Sequence, residues 1–259
     1  MSSVISKDGT TIAYERTGSG PSLVIVDGAL CSRAFGPGAA QAARLAPHFA
    51  VYTYDRRGRG ESTDTQPYAV EREIEDLAAV IEAAGGSAIV YGISVGSVLA
   101  LHAAAALGAT TVSRLVLNEP PFSVGDAAQE QLAQERQHIV GLVTRGQYDE
   151  AVFTFLSDIM PPDMLNEWRA SADWAVLEAT APTLAYDYTV LGDGGVPVAV
   201  ARQVAVPVLL LVGAESAAYK HTAVEEMVKA LPHIEHVTID GTGFEPTDDQ
   251  ISSMVRFLR

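Results

Sequence analysis

The chain has 259 residues, 48% hydrophobic and 19% charged, a balance that supports one large domain with a substantial core and excludes wholesale disorder. Its 17 Lys and Arg against 32 Asp and Glu leave a net charge of −15, which repels phosphate backbones and anionic lipid, so no nucleic acid and no membrane partner is expected. The single cysteine, Cys31, excludes an internal disulfide and a cysteine-based zinc cage. The start, MSSVISKDGTT, has neither a basic nor an apolar leader region, and no apolar run reaches the roughly 18 residues of a spanning helix, so a cytoplasmic protein is expected.

In chain order, VIS and TIAYER joined by Asp8-Gly9 predict a hairpin. The run Leu23 to Val26 of LVIVDG is apolar without alternation, as suits a strand covered on both faces. VYTYD (Val51 to Asp55) is the next strand, followed by the turn-rich RRGRGEST. A helix over Val70 to Ala84, a buried strand AIVYG, a helix over Val95 to Leu107 and a strand RLVLN then alternate, the rhythm of a mostly parallel sheet wrapped by helices. From Glu119 to about Ala205 that rhythm gives way to helical periodicity in EQLAQERQHIVGLV, YDEAVFTFLSDIM and MLNEWRASADWAVLEAT. Core order resumes with VPVLLLVG (Val206 to Gly213), a helix from Thr222 to Leu231, the strand HVTID and a helix from Thr247 to Leu258. The expected division is a core of residues 1–120 and 206–259 with a helical cap of 121–205 between them.

The stretch YGISVGS (Tyr91 to Ser97) contains Gly92-Ile93-Ser94-Val95-Gly96, the GxSxG pattern that presents a serine on a tight strand-to-helix turn. The glycines stand where side chains would collide, and the Val95 amide opens the helix, ready to donate to a carbonyl oxygen or an oxyanion. A serine hydroxyl is a weak nucleophile until a base takes its proton.

With the turn Asp27-Gly28 after the third strand, DRRGRGES (Asp55 to Ser62) after the fourth, LNEPPF after the sixth, and VLLLVGAES and IDGTGFEP near the end, this elbow resembles the α/β-hydrolase fold over essentially the whole chain. The resemblance implies an α/β class with a mostly parallel central sheet and a helical cap inserted after the sixth strand. It also implies a catalytic histidine in a GxGH turn after the last strand, where this chain has Gly241, Thr242, Gly243 and Phe244. Of the two acid positions it implies, one holds Ser216, beside Glu215, and the other holds Glu119. His221, expected in the loop after the seventh strand, is the one candidate for a substitute base, against an exposed residue at a helix start; His48, His102, His138, His233 and His236 read as structural or exposed.

Asp27 precedes the oxyanion-loop glycine, Gly28, which Ala29 and Leu30 follow; its carboxylate either faces the pocket mouth or caps the local turn. Ile93, Val95 and Phe244 are expected to make the cleft floor apolar. RRGRG reads as the ordinary turn after the fourth strand rather than a phosphate site. Phe122, Phe153, Phe155, Trp168, Trp174, Tyr186 and Tyr188 read as mostly core, with one or two roofing a large hydrophobic pocket.

Three functions stay open on these residues: a serine hydrolase with a displaced base, a non-catalytic binding protein, and an enzyme whose chemistry needs no covalent serine. The third is favoured, because the elbow and its donors stand without the base. The pattern, with phenylalanine at the histidine position, is similar to that of bottromycin-type peptide epimerases. That implies inversion of an aspartate α-carbon in a modified ribosomal peptide, a hydrophobic peptide-like small molecule as substrate, and neither cofactor nor metal. Ser94 then acts as a hydrogen-bonding group and Val95 as an oxyanion-type amide, with Asp27, Gly28, Ala29, Leu30, Ile93, Phe244, Glu119 and His221 as substrate-binding candidates.

Overall fold

The computed structural model describes residues 2–157 and 159–259; of the expectations above, those that fall on Met1 and on Asp158 within YDEAVFTFLSDIM lie outside them. Its centre is an eight-stranded sheet of β1 (Ser2–Ile5), β2 (Thr11–Thr17), β3 (Ser22–Val26), β4 (Ala50–Tyr54), β5 (Ala88–Ile93), β6 (Val112–Asn118), β7 (Val208–Gly213) and β8 (Ile234–Ile239), in the spatial order β1-β2-β4-β3-β5-β6-β7-β8. The Asp8-Gly9 turn joins β1 and β2 as an antiparallel hairpin, β2 runs antiparallel to β4, and every other pairing is parallel.

Both faces of the sheet are covered, which is why its central strands read as unbroken apolar runs. Strand alternation sends Val24, Val26 and Val90 to one face, where they pack with α2 (Val70–Ala83) and α3 (Val95–Leu107). Leu23, Ile25, Ile89, Tyr91 and Ile93 go to the other, under α1 (Pro37–Leu45) and α11 (Asp248–Leu258). The sequence reading has no counterpart to α1. Its inward face consists of Gly38, Gln41, Ala42 and Leu45, which are helically spaced but mostly small or polar, so the hydrophobic period is muted.

The segment between β6 and β7 is helical, with α4 (Asp126–Thr144), α5 (Tyr148–Ser157), α6 (Pro162–Arg169), α7 (Trp174–Thr180), a 3₁₀ turn (Ala181–Thr183), α8 (Leu184–Leu191) and α9 (Val198–Ala201). The run MLNEWRASADWAVLEAT, read for its helical periodicity, holds two helices with a break between Arg169 and Trp174. The break lets Trp168 and Trp174 meet edge to face at 6.1 Å between ring centroids, with the Trp174 indole donating to Asp149 Oδ1 at 2.8 Å. Most of these cap aromatics pack on one another. Trp174 and Tyr188 lie in a cap core of their own with Leu30, Ile139 and Leu177, and Phe122 lies in the main core. After β7, α10 (Ala218–Ala230) begins four residues earlier than the periodicity predicts, which takes in His221.

Candidate active site

Ser94 stands between β5 and α3 at φ 52° and ψ −124°, a conformation that non-glycine residues adopt only when the surroundings enforce it. A Cβ on Gly92 would lie 2.5 Å from Gly96 O, and one on Gly96 would lie 2.1 Å from Val26 O, so both positions require glycine. The Ser94 amide donates to Asn118 O at 2.9 Å, binding the elbow to the end of β6. Ser97, which the sequence reading passes over, is buried with its hydroxyl 2.8 Å from Gly92 O and 2.9 Å from Asn118 O, bracing the same turn.

Gly28 packs directly against the serine, since a Cβ there would sit 3.3 Å from Ser94 Cβ. Two amides near this point are free to donate. Val95 N–H is the first of α3 and has no intrahelical acceptor. Ala29 N–H, on the loop carrying Gly28, donates to no protein acceptor among the described residues. Free amides held in such a pair are the kind of donor that negative charge on a carbonyl oxygen requires.

Asp27 takes the second of its two expected orientations. Its carboxylate accepts from Gly38 N at 3.1 Å in the first turn of α1 and from Gly28 N at 3.3 Å, and the residue is 7% exposed. Burial pushes this carboxyl up to about 6, against the pull of the two amides and of Arg59 and Arg56. The unfolded chain ionises near 3.8 while the folded protein holds the proton to about 6, so stability falls as pH rises through that window. Asp27→Asn keeps the acceptor for Gly38 and removes the titration. Denaturant unfolding at pH 4 and pH 7 is expected to show a wild-type loss on the order of 3 kcal/mol that the variant lacks, at about 1.4 kcal/mol per pH unit.

Two other candidates prove to be core. Ile93 is fully enclosed in the cluster under α1 and α11, because the strand period turns it away from the face that Ser94 tops. Leu30, at φ 58° and 2% exposed, is built into the cap core. Neither side chain lines the cleft.

Phe244 is half-buried on the turn after β8, and hydrogen bonds fix that turn. Asn118 Nδ2 donates to Gly243 O at 2.7 Å, Gln41 Nε2 donates to Phe244 O at 3.3 Å, and Gln250 links Gln41, Asn118 and Tyr91. Glu119, fully buried at φ 54°, packs against this turn, where a Cβ on Gly243 would lie 2.8 Å from its Oε1, and its carboxylate is engaged by three donors. Its Oε1 accepts from Gly213 N at 2.5 Å and from Ser216 Oγ at 2.7 Å, and its Oε2 pairs with Lys220. The Lys220 ammonium also lies 5.0 Å from the centre of the Phe244 ring. Lys220 has no signal in the sequence that singles it out; its contact with Glu119 spans 101 residues.

His221 is a residue of α10 rather than of a rim loop, and its charge acts on His236 in the edge strand β8, whose imidazole burial and then His221 hold below the usual value. Burial likewise lowers His102, on α3 beside Glu71 of α2. Among the described residues, no hydrogen bond joins a histidine to Ser94, and no group of three His, Cys, Asp or Glu is arranged to hold a metal. No described helix is long and apolar enough to cross a membrane.

The arginines of RRGRG all turn inward. Arg57 pairs with Asp76 and Asp8, Arg56 with both oxygens of Glu73, and Arg56 and Arg59 share Asp187 Oδ1 of α8, so the turn is a buried ionic anchor for the cap. A groove of about 580 Å³ between α4 and α8, lined by Arg136, Val140, Arg145, Ala185 and Thr189 among others, opens on the solvent side of the cap.

Comparison with known proteins adds four findings. A family model described as alpha/beta hydrolase family matches residues 18–248. An alpha/beta hydrolase of Sphaerobacter thermophilus superposes with a TM-score of 0.88 at 41% identity, covering 100% of both chains. A pimeloyl-[acyl-carrier protein] methyl ester esterase of Xanthomonas campestris pv. campestris is 28% identical over 253 residues, 93% of this chain and 96% of the esterase. A bottromycin epimerase in complex with bottromycin A2 shares the fold, with a TM-score of 0.64 at 21% identity over 99% of this chain and 97% of that one.

Proposed function

The chain belongs to the alpha/beta hydrolase family, and from that premise we propose that it is an enzyme that binds the carbonyl of a hydrophobic, peptide-like substrate at Ser94 without forming an acyl-enzyme, and that it epimerises an aspartate α-carbon in a modified ribosomal peptide. The observation that carries this reading is the pair of groups at Phe244 and Glu119. Where the family places its base the chain has Phe244, and the acid that would orient a base is engaged by Lys220, Gly213 and Ser216.

Epimerisation asks of the protein what this site retains. The substrate α-carbon loses its proton and the electron pair moves onto the adjoining carbonyl or imine. Amides at Ala29 and Val95 and the Ser94 hydroxyl stabilise that charge, and the proton returns to the opposite face. The base is the substrate's own side-chain carboxylate, held close to the acidified hydrogen, so no bond to Ser94 forms or breaks.

Ester hydrolysis through Ser94 is the second reading, favoured by the likeness to the methyl ester esterase. One experiment separates the two. Incubation with a bottromycin-type peptide in heavy water is expected to place deuterium at the aspartate α-carbon with no hydrolysed product, and a fluorophosphonate probe is expected to leave Ser94 unlabelled. Labelled Ser94 with hydrolysis and no exchange would establish the esterase reading.

A further inference from the structure

The third arginine of the RRGRG turn has a task that anchoring does not explain. Arg59 is 2% exposed, and its Nη1 donates to Gly28 O at 2.6 Å. Its Nε donates to Thr183 Oγ1 at 3.0 Å and its Nη2 to Asp187 Oδ1 at 2.7 Å. One guanidinium therefore spans the loop packed on Ser94 and two residues of the cap. Gly28 C=O and Ala29 N–H belong to one planar trans peptide and point in opposite directions. Holding the carbonyl on Arg59 therefore fixes the line along which the free Ala29 amide points.

The charges show which residue sets Arg59. Arg56 is gripped by both oxygens of Glu73, at 2.7 Å each, and keeps its place without the cap. Arg59 has Asp187 as its one directly bonded anion among the described residues; its other partners are a hydroxyl and two backbone carbonyls, of Gly28 and Cys31. Asp187 uses only Oδ1 for both arginines, and its Oδ2 has no partner. We propose that Asp187 is a positioning residue that acts through Arg59 on the Gly28–Ala29 peptide, so that seating of cap helix α8 sets the carbonyl-binding amide beside Ser94.

This rests on the proposed function for its kinetic consequence but not for its structural one, and the test reads both. Protein carrying ¹⁵N-alanine is examined without ligand, and the variants are Asp187→Ala, Asp187→Asn, Arg59→Lys and, as a control, Asp76→Ala, which breaks the comparable Arg57 pair, in which neither residue bonds Gly28 or Arg59. Asp187→Ala is expected to shift and broaden the Ala29 amide resonance and to lower turnover in α-carbon exchange by roughly 10- to 100-fold with KM little changed, the scale of a small misplacement in a preorganised site. Asp187→Asn retains the Oδ1 acceptor but not the anion bonded to Arg59, so it recovers part of both. Arg59→Lys keeps the charge but lacks the planar fork, and reproduces the loss even where Asp187→Ala does not fold. Asp76→Ala lowers stability and leaves the Ala29 resonance in place. An unchanged Ala29 amide in Arg59→Lys and in folded Asp187→Ala, or the same disturbance in Asp76→Ala, would overturn the proposal. Absence of exchange in the wild type would instead remove the proposed reaction, leaving the amide resonance to decide the coupling.

Discussion

Ser94→Ala is expected to lower turnover in α-carbon exchange by about 10²- to 10³-fold, the cost of losing one donor aimed at developing negative charge. If Ser94 were the nucleophile of a working triad, its loss would cost about 10⁶-fold. The size of the defect therefore reports the role of the hydroxyl, and single-turnover measurement on the variant decides between them. The elbow itself should survive the substitution. Its shape is imposed by Gly92, Gly96, the Ser97 bridge and the Ser94 backbone amide, none of which involves the hydroxyl. A loss of five orders or more, with phosphonate labelling of the wild type, would return Ser94 to covalent catalysis.

Arg56→Met is expected to be among the most damaging single substitutions for stability. Arg56 is 2% exposed and donates to both oxygens of Glu73 and to Asp187 Oδ1, at 2.7, 2.7 and 2.8 Å. Methionine fills similar space but leaves the Glu73 carboxylate buried without its ion pair, and Asp187 with Arg59 alone. Breaking a buried pair in this way costs about 3–5 kcal/mol. For a domain of this size that is a fall in Tm of roughly 6–20 °C, at about 2–4 °C per kcal/mol. The exposed pair Lys229–Glu225, with side chains 76% and 79% exposed, is the comparison; Lys229→Met should change stability by less than about 0.5 kcal/mol. Calorimetry on the two variants that gave equal small shifts would mean that the arginine turn is not the cap's anchor.

Much of the frame was legible because it is written in local pattern. The covered strands β3, β5 and β7 appear as unbroken apolar runs, Asp8-Gly9 marks the hairpin, and GxSxG with a strand before and a helix after defines the elbow. The elements that escaped lack such a pattern. The inward face of α1 is glycine, alanine and glutamine, and the break between α6 and α7 is set by where two tryptophans meet.

The candidate site divides along the same line. By itself the sequence determined that a serine sits on a strained turn, that phenylalanine follows Gly-Thr-Gly, and that a glycine loop follows the third strand, since each is a matter of neighbours along the chain. Only the tertiary structure decided what the polar side chains do, because their partners are chosen by packing across long separations. It turned Asp27 into α1, closed Ile93 into the core, set His221 on helix α10, gave Glu119 to Lys220 across 101 residues and joined Arg59 to Asp187 across 128. A buried charge must find a counter-charge wherever the fold brings one, and that requirement leaves no periodic trace in the chain.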